Sequence, residues 1–374
     1  MSHDTATEPD RIEGAPHPRE TKHLFGQRAA EEAFLQAFHS DRLHHGWLIN
    51  GPRGVGKATL AWRIARFLLA NPADAGDGLF CETLPKAESL DVTVDHPVAR
   101  RILSGSEPGL FHIRRSLNDK TGRLRDQIIA EDVRALNGFF GLTAADGGRR
   151  IVIIDAADEM NVQAANALLK MLEEPPERAT LLLVSHQPAR LLPTIRSRCR
   201  ELRLSPLAPE QMQAALSQAG IESGGRSDAL AELAAGSVGE AVRLHNQNGL
   251  QLYADLVRLG AELPKLDRSR AIKLAEAMSA RDASERLDLL FALIDLFLVR
   301  LARAGALGHA PPEAAENEAA VLCRLSPGPR QARAWADCAE LVGSRSRHGR
   351  AVNLDPTALV LDTVFKLQQT AASL

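Results

Sequence analysis

The residues with the clearest chemical potential form the run GPRGVGK at positions 51–57, which matches the GxxxxGK part of a phosphate-binding loop. Gly51, Gly54 and Gly56 let the backbone turn so that its N–H groups face phosphate oxygens. Lys57 can reach the outer phosphates, and a helix that starts after it would add a favourable dipole. The run therefore predicts a polyphosphate site, the alternative being a purely structural turn between a strand and a helix.

Two positions that magnesium-dependent hydrolysis requires are altered. Ala58 stands where a Ser or Thr hydroxyl would ligate Mg²⁺. Thr59 is adjacent, but one step along a helix turns a side chain by about 100°, so it is a poor substitute. Asp155, after the apolar run 151–154, occupies the place of a Walker-B aspartate, and Ala156 stands where a water-orienting Glu would follow. Nucleotide binding stays open, whereas hydrolysis is predicted to be compromised.

Two further carboxylates, Asp158 and Glu159, have two interpretations. Either could replace the missing glutamate as a base. We favour a role in beginning or capping the helix predicted at 162–174, because acidic residues are preferred at helix starts.

The candidate residues fall at the ends of predicted strands. Continuous apolar runs at 47–50, 151–154 and 181–184 are typical of strands buried on both faces, and shorter runs lie at 111–113 and 202–204. Segments with helical spacing separate them. This alternation predicts an α/β domain, with a parallel sheet covered by helices on both faces.

Beyond the last predicted strand, helical spacing dominates. Residues 208–245 suggest a small helical domain, and the rest of the chain is nearly all helix-like, most clearly at 283–302. The segment 71–110 is predicted to be irregular because it is rich in Gly, Pro, Asp and Glu. The segment 304–320 is predicted to be a linker.

Composition narrows the class of protein. The 374 residues are 45% hydrophobic, enough for two or three folded domains, and the net charge of −2 excludes a global basic field for nucleic acid. No cysteines form a CxxC pair, so we expect no structural zinc and a reduced, cytoplasmic protein. The polar composition of residues 1–22 predicts a flexible tail, and the absence of an apolar stretch there argues against a secretory signal. No apolar run in the sequence is long enough for a membrane span. The cysteines are Cys81, Cys199, Cys323 and Cys338.

Four short motifs carry a family resemblance. NALLK at 166–170 leads into LEEPP at 172–176, and LLPTI at 191–195 is followed by RSRC at 196–199. With the phosphate loop, they resemble the bacterial clamp-loader family, AAA+ proteins of the DNA polymerase III assembly, over about residues 24–245. After the disordered tail (1–22) that composition predicts, the resemblance implies an AAA+ P-loop domain (23–206), a small helical lid domain (207–248) and an all-helical collar domain for oligomerisation (249–374).

The resemblance assigns a role to Arg198. In the family, the arginine of the SRC motif acts in trans as a finger on ATP bound by a neighbouring subunit, and Ser197 and Cys199 would hold its loop. A guanidinium suits this role because it offers permanently charged donors in a fixed geometry. The alternative is a surface arginine in a basic cluster with Arg196 and Arg200.

Other family positions have changed. Ser185 takes the sensor-1 position, and Gly239 stands where ATP-hydrolysing members carry a sensor-2 arginine. With Ala58 and Ala156, three catalytic positions are altered while the finger is retained. The resemblance therefore implies a stationary, non-hydrolysing subunit. Two alternatives stay open: an active tau/gamma-like ATPase motor and, from another class, a P-loop kinase of small molecules.

The resemblance also implies partners. These are the tau/gamma and delta subunits of a loader, with the sliding clamp contacted indirectly, primer–template DNA contacted non-specifically, and no membrane. Arginines at 100, 101, 114, 115, 123, 125, 149 and 150 are either DNA contacts or solvated charge. The apolar run 284–302 contacts a neighbouring subunit or packs within its own domain.

Overall fold

The computed structural model describes residues 8–40, 43–71, 87–118, 120–141, 148–221, 226–278 and 284–374. Contacts divide the chain into two compact units. Unit 1 comprises Met1–Gly220 and Gly236–Glu240, and unit 2 comprises Ile221–Ala235 and Ala241–Leu374. The predicted lid at 207–248 contributes to both units, so the three-domain division stays a prediction.

Unit 1 is built on a five-stranded sheet in which every strand pair is parallel. The strands are β1 (Gly46–Asn50), β2 (Leu110–Ile113), β3 (Arg150–Asp155), β4 (Ala179–Ser185) and β5 (Arg200–Arg203). Their spatial order is β2-β3-β4-β1-β5. In register, Asn50 of β1 lies beside Ser185 of β4 and Arg203 of β5, so these strands end at one edge.

Alternate strand residues enter two separate cores, as the continuous apolar runs predicted. On β3, Ile151 and Ile153 pack in one hydrophobic cluster, whereas Val152 and Ile154 pack in the other. Helices cover both faces, which confirms the predicted α/β class. The helices are α1 (Arg28–His39), α2 (Lys57–Ala70), α3 (Pro97–Leu103), α4 (Ala130–Gly141), α5 (Val162–Glu173), α6 (Pro193–Arg196) and α7 (Pro209–Gln218).

The segment predicted to be irregular contains regular structure. Its helix α3 begins with Pro97, whose fixed φ suits the first helical position, and buries Val98 and Ile102. Strand β2 starts at Leu110. Cys81, together with the rest of 72–86, lies outside the described residues.

Unit 2 is helical. Helix α9 (Val238–Asn246) begins in unit 1 and continues in unit 2. In the described part of the chain, no helix is long and apolar enough to cross a membrane. The other helices are α8 (Ser227–Ala234), α10 (Gly249–Glu262), α11 (Arg268–Glu276), α12 (Ser284–Leu307), α13 (Glu318–Leu325), α14 (Pro329–Ala351) and α15 (Pro356–Ala372).

The linker predicted at 304–320 is shorter than expected. Helix α12 extends to Leu307, and α13 begins at Glu318, which is completely buried. The Glu318 carboxylate accepts hydrogen bonds from Tyr253 Oη at 2.6 Å and Arg300 Nε at 2.6 Å. This buried pairing ties α10, α12 and α13 together, a long-range contact that local composition did not indicate.

Candidate functional site

The phosphate loop has the backbone conformation that its glycines predicted. It connects the end of β1 to the start of α2. Gly51, Gly54 and Gly56 have φ of 145°, 75° and 101°, a region that residues with a Cβ rarely adopt. The Gln27 side chain stabilises the loop, because its Nε2 donates a hydrogen bond to Val55 O at 3.2 Å.

The loop lysine is turned back onto the loop itself. Lys57 Nζ donates to Gly51 O at 2.8 Å and to Pro52 O at 2.5 Å, and the residue is 3% exposed. Burial lowers the pKa of Lys57 to about 8, and attraction to the carboxylates of Asp155 and Asp158 opposes this shift. The ammonium is thus satisfied by internal carbonyl groups.

A short segment of unit 1 covers the outer side of the loop. Ser237 Oγ donates to Arg53 O at 2.8 Å, and Gly239 N donates to Gly54 O at 3.1 Å. A Cβ on Gly239 would lie 3.0 Å from Gly54 Cα and 2.8 Å from Ile12 Cδ1. The larger side chain that ATP-hydrolysing family members carry here would therefore displace its neighbours.

Asp155 ends β3 beside the loop, as predicted. Its pKa is raised to about 7, first by burial and then by the Asp10 carboxylate, while the attraction of Lys57 opposes the shift. One oxygen each of Asp155 and Asp10 and one ring nitrogen of His112 lie within 4.8 Å of one another. Asp155 therefore faces another carboxylate as well as the lysine.

The prediction that Asp158 and Glu159 cap the following helix is wrong. Asn161 caps α5, since its side chain accepts from Ala164 N at 2.8 Å. Asp158 instead accepts from His186 N at 2.8 Å, which ties the end of β3 to the end of β4. Glu159 has no capping contact among the described residues and forms an ion pair with Arg115 Nε at 3.0 Å.

The remaining nucleotide positions have mixed properties. Ser185, at the end of β4, is fully buried, and its Oγ has no hydrogen-bond partner within the described ranges. Thr59 is buried on α2, and Ala58 before it has no hydroxyl. The three glycines fit a polyphosphate, but Ala58 does not fit the magnesium ion that accompanies it.

Arg198 lies at the other edge of the sheet. Its carbonyl oxygen approaches Gly46, the first residue of β1, whereas the phosphate loop follows the last residue of β1. Five strand residues separate these edges, which is about 16 Å. The Arg198 side chain is 37% exposed, donates to Thr194 O at 3.1 Å and pairs with Glu173 at 2.9 Å.

The two neighbours of Arg198 hold its loop. Ser197 Oγ donates to Thr194 O at 3.1 Å, which closes the turn after α6. Burial raises the pKa of the Cys199 thiol to about 12, so it is uncharged at neutral pH. A Cβ on Gly46 would lie 3.3 Å from Cys199 Sγ, so the thiol packs closely against the start of β1.

Residues 8–22 have defined partners, unlike the flexible tail expected from their polar composition. His17 is fully buried and packs edge-on against Trp62, with ring centroids 5.8 Å apart. Asp10 accepts from Arg114 Nη1 at 2.7 Å, and its other oxygen lies 2.7 Å from His17 Nε2. The sequence carries no periodic signal for these contacts, which join residues far apart in the chain.

Several arginines proposed for DNA contact are engaged within the protein. Four of these arginines each form an ion pair with a carboxylate, and this pairing reduces the positive charge available to phosphate groups. The pairs are Arg100–Asp95 at 2.8 Å, Arg101–Glu107 at 2.8 Å, Arg114–Asp10 at 2.7 Å and Arg115–Glu159 at 3.0 Å.

Comparison with known proteins gives consistent matches. The family model described as DNA polymerase III, delta subunit, matches residues 26–208. The chain is 36% identical to DNA polymerase III subunit delta' of Pseudomonas aeruginosa over 243 residues, which are 63% of this chain and 66% of the relative. It is 34% identical to subunit delta' of Bacillus subtilis over 175 residues, which are 46% of each chain.

Other matches are more distant. The chain is 31% identical to DNA polymerase III subunit tau of Escherichia coli over 270 residues, 70% of this chain and 38% of the relative. The alignments thus span less than two thirds of these relatives' own lengths. The solved structure of a DNA polymerase III gamma subunit-related protein of Thermotoga maritima is 15% identical in sequence, with a TM-score of 0.39. The structural alignment covers 90% of this chain and 99% of that chain.

Proposed function

The chain belongs to the clamp-loader subunit family of DNA polymerase III, and on this premise we propose that it acts as a delta-prime-like subunit that does not hydrolyse ATP. In this role it donates Arg198 to an ATP site on a neighbouring subunit. Its own contribution is to brace the ring and to supply one charged group during ATP-dependent loading of the sliding clamp on primed DNA.

The position of Arg198 carries the proposal. The residue lies at the edge of the sheet about 16 Å from the chain's own phosphate loop. It is partly exposed and held by Glu173, whose side chain is 51% exposed. An exposed ion pair contributes little stability, so Arg198 can exchange Glu173 for a phosphate at small cost. A guanidinium placed in this way can reach only the nucleotide of another molecule.

The phosphate loop supports the absence of hydrolysis. Ala58 offers no ligand for magnesium, and Ala156 cannot orient a water molecule. Gly239 packs against Gly54, which leaves no room for a sensor arginine without rearrangement. These three changes affect separate steps, so restoring one residue should not restore turnover.

The proposed partners follow from this role. They are the tau/gamma subunits, one of which would receive Arg198, and the delta subunit. Contact with the clamp would be indirect, and contact with primer–template DNA non-specific, because much of the arginine cluster is paired internally. The protein would work in the cytoplasm.

The test is Arg198→Ala in a loader reconstituted with wild-type tau/gamma and delta subunits. We expect normal assembly on a sizing column and a large fall in DNA- and clamp-stimulated ATP turnover, up to about 10³-fold. Arg196→Ala is the matched control, because Arg196 is exposed two residues away and should leave turnover unchanged.

Two results would contradict the proposal. Unchanged turnover in an intact Arg198→Ala complex would make the arginine a surface residue. Magnesium-dependent turnover by the isolated wild-type chain would favour the tau/gamma-like motor instead.

A further inference from the structure

The N-terminal strap, residues 8–22, runs along the helix that follows the phosphate loop. Arg66 Nη2 on α2 donates to Arg19 O at 2.6 Å, and Arg63 Nη1 donates to Lys22 O at 2.9 Å. His17 is buried against Trp62, also on α2. Three contacts on one helix therefore fix the strap at its C-terminal half.

The other half of the strap reaches the phosphate loop. The Asp10 carboxylate lies within 4.8 Å of the Asp155 carboxylate at the end of β3. Ile12 Cδ1 lies 2.8 Å from the position of a Cβ on Gly239, the residue that covers Gly54. Two residues span at most about 7 Å, so the chain between Asp10 and Ile12 bridges the strand end and the loop.

The bridged space is where a P-loop protein holds phosphates. In such folds the polyphosphate lies beside the glycine loop, at the edge where the carboxyl ends of the parallel strands meet. Here Asp10 stands on the strand side and Ile12 on the loop side. A bound polyphosphate and residues 10–12 in their present position would compete for the same volume.

The charges of the strap also compete with an anion. Asp10 accepts from Arg114 Nη1 at 2.7 Å, and Glu8 lies 3.1 Å from Arg19 Nη1 and 3.4 Å from Arg114 Nη1. Two strap carboxylates thus pair with Arg114, a cation that could otherwise bind a phosphate group.

We propose that residues 8–12 form an internal plug of the phosphate loop, which a nucleoside diphosphate or triphosphate must displace to bind. Displacement would free Arg114 for phosphate oxygens, and a bound polyphosphate could then replace the carbonyl groups of Gly51 and Pro52 as the partners of Lys57. The inference is independent of the role of Arg198, which lies at the opposite edge of the sheet.

The test compares the affinity of the full chain and its variants for a fluorescent N-methylanthraniloyl-ADP, measured by anisotropy without magnesium. Deletion of residues 1–12 keeps the anchors at His17 and Arg19, and we expect it to tighten binding at least about tenfold. Asp10→Asn should tighten binding in the same direction. Asp288→Asn, the same chemical change at an exposed carboxylate of unit 2, should have no effect.

Two further measurements locate the effect. Lys57→Ala in the deletion variant should abolish the gain, which places the ligand on the phosphate loop. In the wild-type chain, saturating ADP should increase hydrogen exchange at residues 8–12, a readout that needs no variant to fold. If the deletion binds no more tightly than the wild type, or if exchange of the strap is unchanged with ADP bound, the plug does not exist.

Discussion

Replacing Asp155 with asparagine should stabilise unit 1 at high pH. In the folded chain the pKa of Asp155 is raised to about 7 from its ordinary value of 3.8, because burial and the Asp10 carboxylate disfavour its charge. A carboxyl group whose pKa is raised in the folded state makes its full contribution to the free energy of unfolding below pH 3.8. This contribution is lost as the pH rises from 3.8 to 7. Asparagine has the same shape and does not ionise, so the variant avoids this loss.

The size of the effect follows from the shift. Each pKa unit corresponds to about 1.4 kcal/mol, so the raised pKa costs at most about 4 kcal/mol above pH 7. At pH 5 about 1.6 kcal/mol of this cost is already present. The advantage of Asp155→Asn over wild type should therefore grow by up to about 3 kcal/mol between pH 5 and pH 8.

Urea denaturation followed by tryptophan fluorescence measures the difference, since Trp47 and Trp62 are both buried in unit 1. Asp288→Asn is a control in unit 2, because Asp288 is exposed and its ion pair with Arg350 lies at the surface. A variant that loses stability equally at both pH values would refute the reasoning, because Asp155 would then be ionised and stabilising in the fold.

Two further predictions concern buried groups. Glu318→Gln should destabilise unit 2 by about 3–5 kcal/mol in a denaturant titration, because buried Arg300 would lose its ion pair at 2.6 Å and keep the longer one with Glu232 at 3.5 Å. The exposed Asp288→Asn should cost less than about 1 kcal/mol, and equal losses would contradict the argument. At pH 8 an alkylating reagent should label the exposed Cys323 and leave Cys199 unlabelled until the chain is unfolded, because burial raises the pKa of Cys199 to about 12. Peptide mass spectrometry locates the label, and rapid labelling of Cys199 in the native chain would contradict its packing role.

Local patterns predicted the parts of this protein that depend on neighbouring residues. Continuous apolar runs predicted β1, β3 and β4, because a strand buried on both faces has no polar side to display, and shorter runs located β2 and β5. The glycine spacing predicted the phosphate loop, because positive φ is a property of the residue itself. The chemical losses at Ala58 and Ala156 were equally visible, since a missing hydroxyl or carboxylate needs no structure to be recognised.

Contacts between distant residues decided the rest. The polar strap had no period to predict its burial, and its Asp10 is held by Arg114, 104 residues away. Asp158 was expected to cap a helix, but the backbone after β4 offered it two N–H groups in the folded chain. Glu318 lies in a segment that composition marked as a linker, yet its partners on α10 and α12 make it part of a core.

The sequence alone therefore determined the sheet, the phosphate loop and the altered catalytic positions, because each depends on side chains within a few residues of one another. Only the tertiary structure placed Arg198 at the edge opposite the loop and brought Asp10 to Asp155. A parallel sheet brings strand ends that are far apart in the chain to the same edge. Local sequence patterns do not specify which distant residues will be in contact at that edge.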